Sequence, residues 1–147
     1  MNWLRYNGAC LEIEYHPYLL VHLDPVSQAH SKYGIVTQSY GPLTPILRHP
    51  SGGGPLKPIL TKIASRLRKE TGKPCDEAAV LLLWTIQKGV SAVTTSANEG
   101  RIMSMAGIEQ LPDLMKEDME EIEEVGRKIH FRHYVGGLSG CGREVES

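Results

Sequence analysis

The residues of this 147-residue chain best suited to chemistry run Val93-Thr94-Thr95-Ser96-Ala97-Asn98-Glu99-Gly100-Arg101-Ile102, where a β-branched run gives way to small polar residues and a cation. Ser96 and Glu99 have the S-x-x-E spacing of a capping box, which predicts a helix start with free backbone N–H groups pointing outward. Arg101 adds a guanidinium close to that start. Hydroxyls, N–H donors and a cation together make an anion site, and a nucleotide phosphate is the anion most often met at the end of a strand. A capping box can also do no more than start a helix, so this segment alone leaves both roles open.

Other candidates are weaker. His130 and His133 have a spacing that could place both on one helix face as metal ligands, but no carboxylate–histidine pattern accompanies them. Ser51-Gly52-Gly53-Gly54-Pro55 lacks the G-x-x-x-x-G-K-[ST] spacing of a phosphate loop and is read as a surface turn. His16 before Pro17 is read as a strand terminus. Cys10, Cys75 and Cys141 are odd in number and far apart, unlike a disulfide framework or a zinc site, which suggests a reducing, cytoplasmic setting.

The elements that must position these residues alternate strand and helix. Cys10–Tyr15 is the first strand, stopped at His16-Pro17. Asp24-Pro25 predicts a helix start, cap followed by proline, running to about Tyr33 with Gly34 as its stop. Ile35–Tyr40 is the second strand, and residues 44–56, broken by Pro45, Pro50, the three glycines and Pro55, are expected to form a mobile loop. Ile59, Leu60, Ile63, Ala64 and Leu67 recur at helical spacing over Lys57–Thr71. Asp76 caps a further helix through Lys88, and Val90–Thr95 is the third strand. A last helix from Lys116 to about Ile129 should bury Met119, Ile122 and Val125. Such alternation means parallel strands joined by crossovers.

Charge is nearly balanced, with 16 basic and 17 acidic residues, and no basic stripe interleaves with aromatics, so nucleic acid is not expected as a partner. No apolar run approaches the ~20 residues that span a bilayer, and no signal-peptide pattern opens the chain. A membrane is therefore not expected either.

Three segments in order carry a resemblance: Leu11-Glu12-Ile13-Glu14-Tyr15-His16-Pro17-Tyr18-Leu19, then Gly34-Ile35-Val36-Thr37-Gln38-Ser39-Tyr40-Gly41-Pro42-Leu43, then the Thr-Thr-Ser…Arg-Ile stretch. With the helical Val80–Gly89 segment, they resemble the last three strands of an aldo-keto reductase. The Thr-Thr-Ser motif is most similar to fungal conjugated polyketone reductase-like members. The resemblance implies an α/β fold, a partial (β/α)8 barrel of about the last three β/α units. A complete barrel takes about 250 residues, so residues 1–130 are read as the C-terminal part of such a barrel and 131–147 as a flexible tail.

It also implies NADP(H) as cofactor. Tyr40 would stack on the nicotinamide, and Gly41 and Leu43 would let the backbone pass near the pyrophosphate. Thr95, Ser96, Ala97 and Arg101 would hold the adenosine 2′-phosphate. Glu12 would meet the carboxamide where the family usually has glutamine; a carboxylate can accept from the amide NH2 but cannot donate to its carbonyl. Thr95 stands where many members carry lysine, and Ser104 and Met105 where they often carry Glu and Asn against the adenine. Met115 replaces the usual Ser or Thr cap of the last helix, an expected loss of roughly 1 kcal/mol.

The family's tyrosine acid and its lysine, aspartate and histidine partners come from earlier strands and have no matching motif here. The resemblance thus implies NADP(H)-dependent reduction of a small-molecule carbonyl, in secondary metabolism for the fungal relatives. The alternative is an inactive nucleotide-binding or partner-binding module. Unpaired strand edges further suggest self-association or a complementing N-terminal half.

Overall fold

The computed structural model describes residues 10–94 and 99–134, and of Arg101 and Ser104 the backbone alone. Three parallel strands, β1 (Cys10–Glu14), β2 (Val36–Tyr40) and β3 (Ser91–Val93), lie in that order in one sheet. Helices α1 (Leu20–Tyr33), α2 (Thr44–Leu47), α3 (Leu56–Thr71), α4 (Glu77–Gln87), α5 (Glu99–Ala106) and α6 (Lys116–Arg127) alternate with them. Parallel strands need crossovers, and helices supply them here, as the alternation predicts.

Register fixes which side chains share a face. Glu12 lies opposite Gln38 and Glu14 opposite Tyr40, while Tyr40 lies opposite Val93. With a period of two, Cys10, Glu12, Glu14, Val36, Gln38, Tyr40, Ser91 and Val93 occupy one face. The other face, with Ile13, Thr37, Ser39 and Ala92, packs on the helices. Ser39 is fully buried and its hydroxyl donates to the Tyr15 carbonyl at 2.9 Å. His30 of α1 meets the Thr37 hydroxyl at 2.6 Å, which pins that helix to β2.

The core lies between helices. Leu56, Leu60, Ile63, Ala64 and Leu67 of α3 are all buried, the stripe its periodicity predicts. Helix α4 is buried nearly all round from Ala79 to Thr85, as its continuous apolar run requires. Asp76 caps it, its carboxylate accepting from the Ala79 amide at 2.8 Å. Trp84 is fully buried with its ring 5.7 Å from that of Tyr15.

Several local expectations are corrected. Helix α1 begins at Leu20, so Asp24-Pro25 lies inside it rather than at its start. A 3-10 turn at Pro17–Leu19 begins the helical path. Pro25 is tolerated because it sits on the exposed side, where water can take up the carbonyl left without a partner. The loop after β2 forms α2 and is anchored rather than loose. The Tyr18 hydroxyl donates to the Gly53 carbonyl at 2.5 Å and accepts from the Leu56 amide at 3.2 Å.

Met115 does cap α6 without a side-chain oxygen, but Asp118 reaches back to accept from its amide at 3.0 Å. The same carboxylate grips Arg66 of α3 in two bonds, at 2.9 and 2.5 Å. Ile122 is fully buried, while Met119 and Val125 are half-buried. Beyond α6, where a loose tail is expected, the Phe131 amide donates to the Tyr18 carbonyl and the His133 and Tyr134 amides to Glu14 of β1; residues 135–147 lie outside the described residues.

Candidate active site

A cleft of about 320 Å³ opens at the C-terminal ends of the strands. It is lined by Glu12, Tyr40, Gly41 and Leu43, so every expected cofactor-binding residue before β3 reaches one place. Parallel register explains the convergence, because the strand ends Glu14, Tyr40 and Val93 are level. Val93 and Thr94 line its far side, and the chain passes from them directly to Thr95, Ser96 and Ala97. These three lie outside the described residues, as does the side chain of Arg101, whose backbone is in the first turn of α5. The expected helix is found at Glu99–Ala106.

Glu12 is mid-strand and exposed, facing into the cleft from β1. Tyr40 is half-buried at the end of β2. Gly41 follows with a φ of 62°, a left-handed conformation, and a Cβ there would come within 2.8 Å of the Thr44 hydroxyl. Glycine is therefore required on both counts.

Two cleft residues were missed by sequence reasoning. Thr44 is 2% exposed, and its hydroxyl has no hydrogen-bond partner among the described residues. A buried polar atom without a partner is costly, and a ligand oxygen would satisfy it. Arg48, exposed on the same rim, supplies a guanidinium suited to phosphate. An orphaned hydroxyl and an arginine beside the Tyr40 ring fit a dinucleotide's phosphates and ring. The only sequence signal for the two was their place just after Tyr-Gly-Pro-Leu.

Behind the cleft, Glu14 is buried and meets His16 Nε2 at 2.9 Å. Burial pushes the Glu14 pKa up, but hydrogen bonds from His16 and from the His133 and Tyr134 amides outweigh it and leave it below the ordinary carboxylate value. Burial lowers the pKa of His16 against the pull of Glu14. A neutral His16 then donates through Nε2, and its Nδ1 has no partner among the described residues.

His130 and His133, set aside as metal ligands on their sequence, pack on different partners: His130 stands edge-on to His22 at 4.5 Å, while His133 packs on Tyr134. Among the described residues no group of three potential ligands could hold a metal ion, and no helix is long and apolar enough to cross a membrane.

No protein-family model matches the chain. It is 26% identical over 124 residues to an NAD/NADP-dependent indole-3-acetaldehyde reductase of Schizosaccharomyces pombe, covering 84% of this chain and 40% of that protein. An aldo-keto reductase of Mycolicibacterium smegmatis is 31% identical over 129 residues, or 86% of this chain and 40% of its own length. The fold matches an aldose reductase from Giardia lamblia with a TM-score of 0.66 at 19% identity, over 88% of this chain and 40% of that one. The chain thus spans about two-fifths of the length of the proteins it matches. Curated relatives and structural neighbours alike are aldo-keto reductases, and the chain is similar to the C-terminal part of their barrel.

Proposed function

We propose that this chain forms the nucleotide-holding side of an NADP(H)-dependent carbonyl reductase. The observation that carries the reading is the single cleft joining Glu12, Tyr40, Gly41 and Leu43 beside the entry to Thr95–Arg101. The NAD/NADP dependence named for the fission-yeast relative supports it. When bound, a reduced nicotinamide supplies hydride to an aldehyde or ketone carbon.

The chain's own residues hold and orient. Tyr40 offers a flat apolar face that fixes which side of the ring meets the substrate. Glu12 accepts from the carboxamide NH2 but gives it no donor. Gly41 lets the backbone approach the pyrophosphate, Thr44 donates its free hydroxyl, and Arg48 neutralises charge. Thr95, Ser96, Ala97 and Arg101 take the 2′-phosphate, with hydroxyls and a guanidinium suited to a dianion.

No tyrosine here stands in a motif matching the family's acid, so the proton for the developing alkoxide comes from a group on further strands. A positioned acid contributes typically ~100- to 10,000-fold. The fungal resemblance supports a dicarbonyl or polyketone substrate within secondary metabolism. A second reading, a nucleotide-binding or partner-binding module without turnover, is favoured by the open sheet. Glu12, Val36, Ser91 and Val93 on its uncovered face are all exposed, and β1 and β3 are its edges among the described residues.

The test is an NADPH titration of the chain, with NADH for comparison and Arg101→Ala as control. Saturable NADPH binding weakened roughly tenfold or more by the substitution, as expected for a lost charge-assisted contact, supports the site. A folded chain that binds neither nucleotide overturns it. NADPH oxidation with a carbonyl panel, alone and with added N-terminal strands, then separates reductase from binding module.

A further inference from the structure

Resting on that reading of the cleft, we propose that Tyr134 is a second aromatic wall of the nicotinamide slot, held in place by the buried carboxylate of Glu14. Tyr134 comes from the segment after α6, 94 positions beyond Tyr40 in sequence. It nevertheless lines the same cleft. Its ring centroid lies 5.3 Å from that of Tyr40 with the planes at 86°, and its Cε2 is 2.7 Å from where a Cβ on Gly41 would sit. Two aromatic rings at right angles, meeting over a residue without a side chain, make a corner into which a flat heteroaromatic ring fits.

The corner is built rather than incidental. The Phe131 amide donates to the Tyr18 carbonyl at 3.2 Å, which turns the chain back toward β1. The next turn closes on Glu14: Oε1 accepts from the His133 amide at 3.0 Å and Oε2 from the Tyr134 amide at 3.2 Å. Arg132 Nε lies 3.8 Å from Oε2. Glu14 is only 3% exposed, and a carboxylate buried that far needs its partners. Two of them are consecutive backbone amides, which fix the path of the chain and hence the position of the Tyr134 ring. Parallel register sets Glu14 opposite Tyr40, so the carboxylate and the stacking tyrosine share one face and one strand end. Glu14 is thus a positioning residue, and Tyr134 the group that touches the ring.

The experiment compares two probes on the full chain by calorimetry: NADPH, which carries the nicotinamide, and adenosine 2′,5′-bisphosphate, which lacks it. Tyr134→Ala should weaken NADPH roughly fivefold, the scale of one aromatic contact, and leave the bisphosphate unchanged. Tyr134→Phe should restore NADPH affinity. Glu14→Gln should lower it while sparing the bisphosphate, because it loosens only the ring end. Tyr134→Leu keeps apolar volume without a ring and should also weaken NADPH, which guards against a misfolded alanine variant. Equal loss for both probes, no loss for either, or tighter NADPH binding on removing the ring overturns the proposal and leaves the cofactor reading standing. A wild-type chain that binds neither probe overturns both.

Discussion

Glu14 spends a buried negative charge on His16 and on the two amides beyond Arg132, and that choice governs how the molecule meets acid. Its pKa lies below the ordinary 4.5, so its stabilising contribution is complete above that value and is lost as pH falls through the lowered one. His16 also has a lowered pKa, here from an ordinary 6.5, so the unfolded chain takes up its proton first. Stability measured by urea unfolding should therefore be level between pH ~6.5 and ~8.5, above which the raised Cys75 pKa begins to cost it, decline below pH ~6.5, and decline again below pH ~4.5. Glu14→Gln should shrink the lower decline to the part carried by Asp118 and Glu77, whose pKa values are also lowered, and cost stability near neutrality. A wild-type curve that rises on acidification would refute this account. At this scale the sequence is partly legible. Tyr40, Gly41 and Leu43 are adjacent, and a local motif points to all three. Thr44 and Arg48 follow that motif locally without any signal of their role, while Glu14 and Tyr134 owe their place to contacts between distant segments, which no spacing records. Glu14 and His16 did leave a trace, since two carboxylates and a histidine alternate through Glu12, Glu14 and His16.

Element by element, the helices form where periodicity and caps are strong, and the errors sit at their entrances. Helix α3 and the Asp76 cap of α4 agree with their patterns because both signals are local. Helix α1 departs because burial of Leu20 and Leu23 extends it backward past a proline that reads as a start. The most exacting contact between elements is at Gly126 of α6, where a Cβ would strike the Pro17 carbonyl oxygen. Backbone there leaves no flexible side chain to yield. Gly126→Ala should therefore destabilise the chain by about 1–3 kcal/mol through overpacking, measured by the urea midpoint. It should also increase amide exchange at Phe131, since the turn that α6 abuts carries the Tyr18 carbonyl. An alanine variant as stable as the parent would show that α6 slides freely over this turn.

At the scale of the molecule, one sheet face is sealed by helices and the other is open except where residues 132–134 cover Glu14. That second face mixes Glu12, Gln38 and Ser91 with the exposed Val36 and Val93, the latter two 53% and 38% accessible. Strand edges of this kind pair with other chains unless covered. The chain should therefore self-associate in sedimentation velocity at micromolar concentration, and added N-terminal strands should suppress that association. A single monomeric boundary with native-like helical circular dichroism would count against it. Alternation of strands and helices made parallel strands with helical crossovers legible in the sequence, and the family resemblance implied the partial barrel; the openness of its face was not legible, because Val36 and Val93 look like any strand residues. Tyr18 gives the cleft a further property. Its hydroxyl fixes the loop beyond Arg48, while its carbonyl fixes the turn that leads to Tyr134. One buried residue thus ties down both lips of the cleft, the loop through its phenol and the turn through its backbone carbonyl, so a substitution that displaces Tyr18 should disturb the two together.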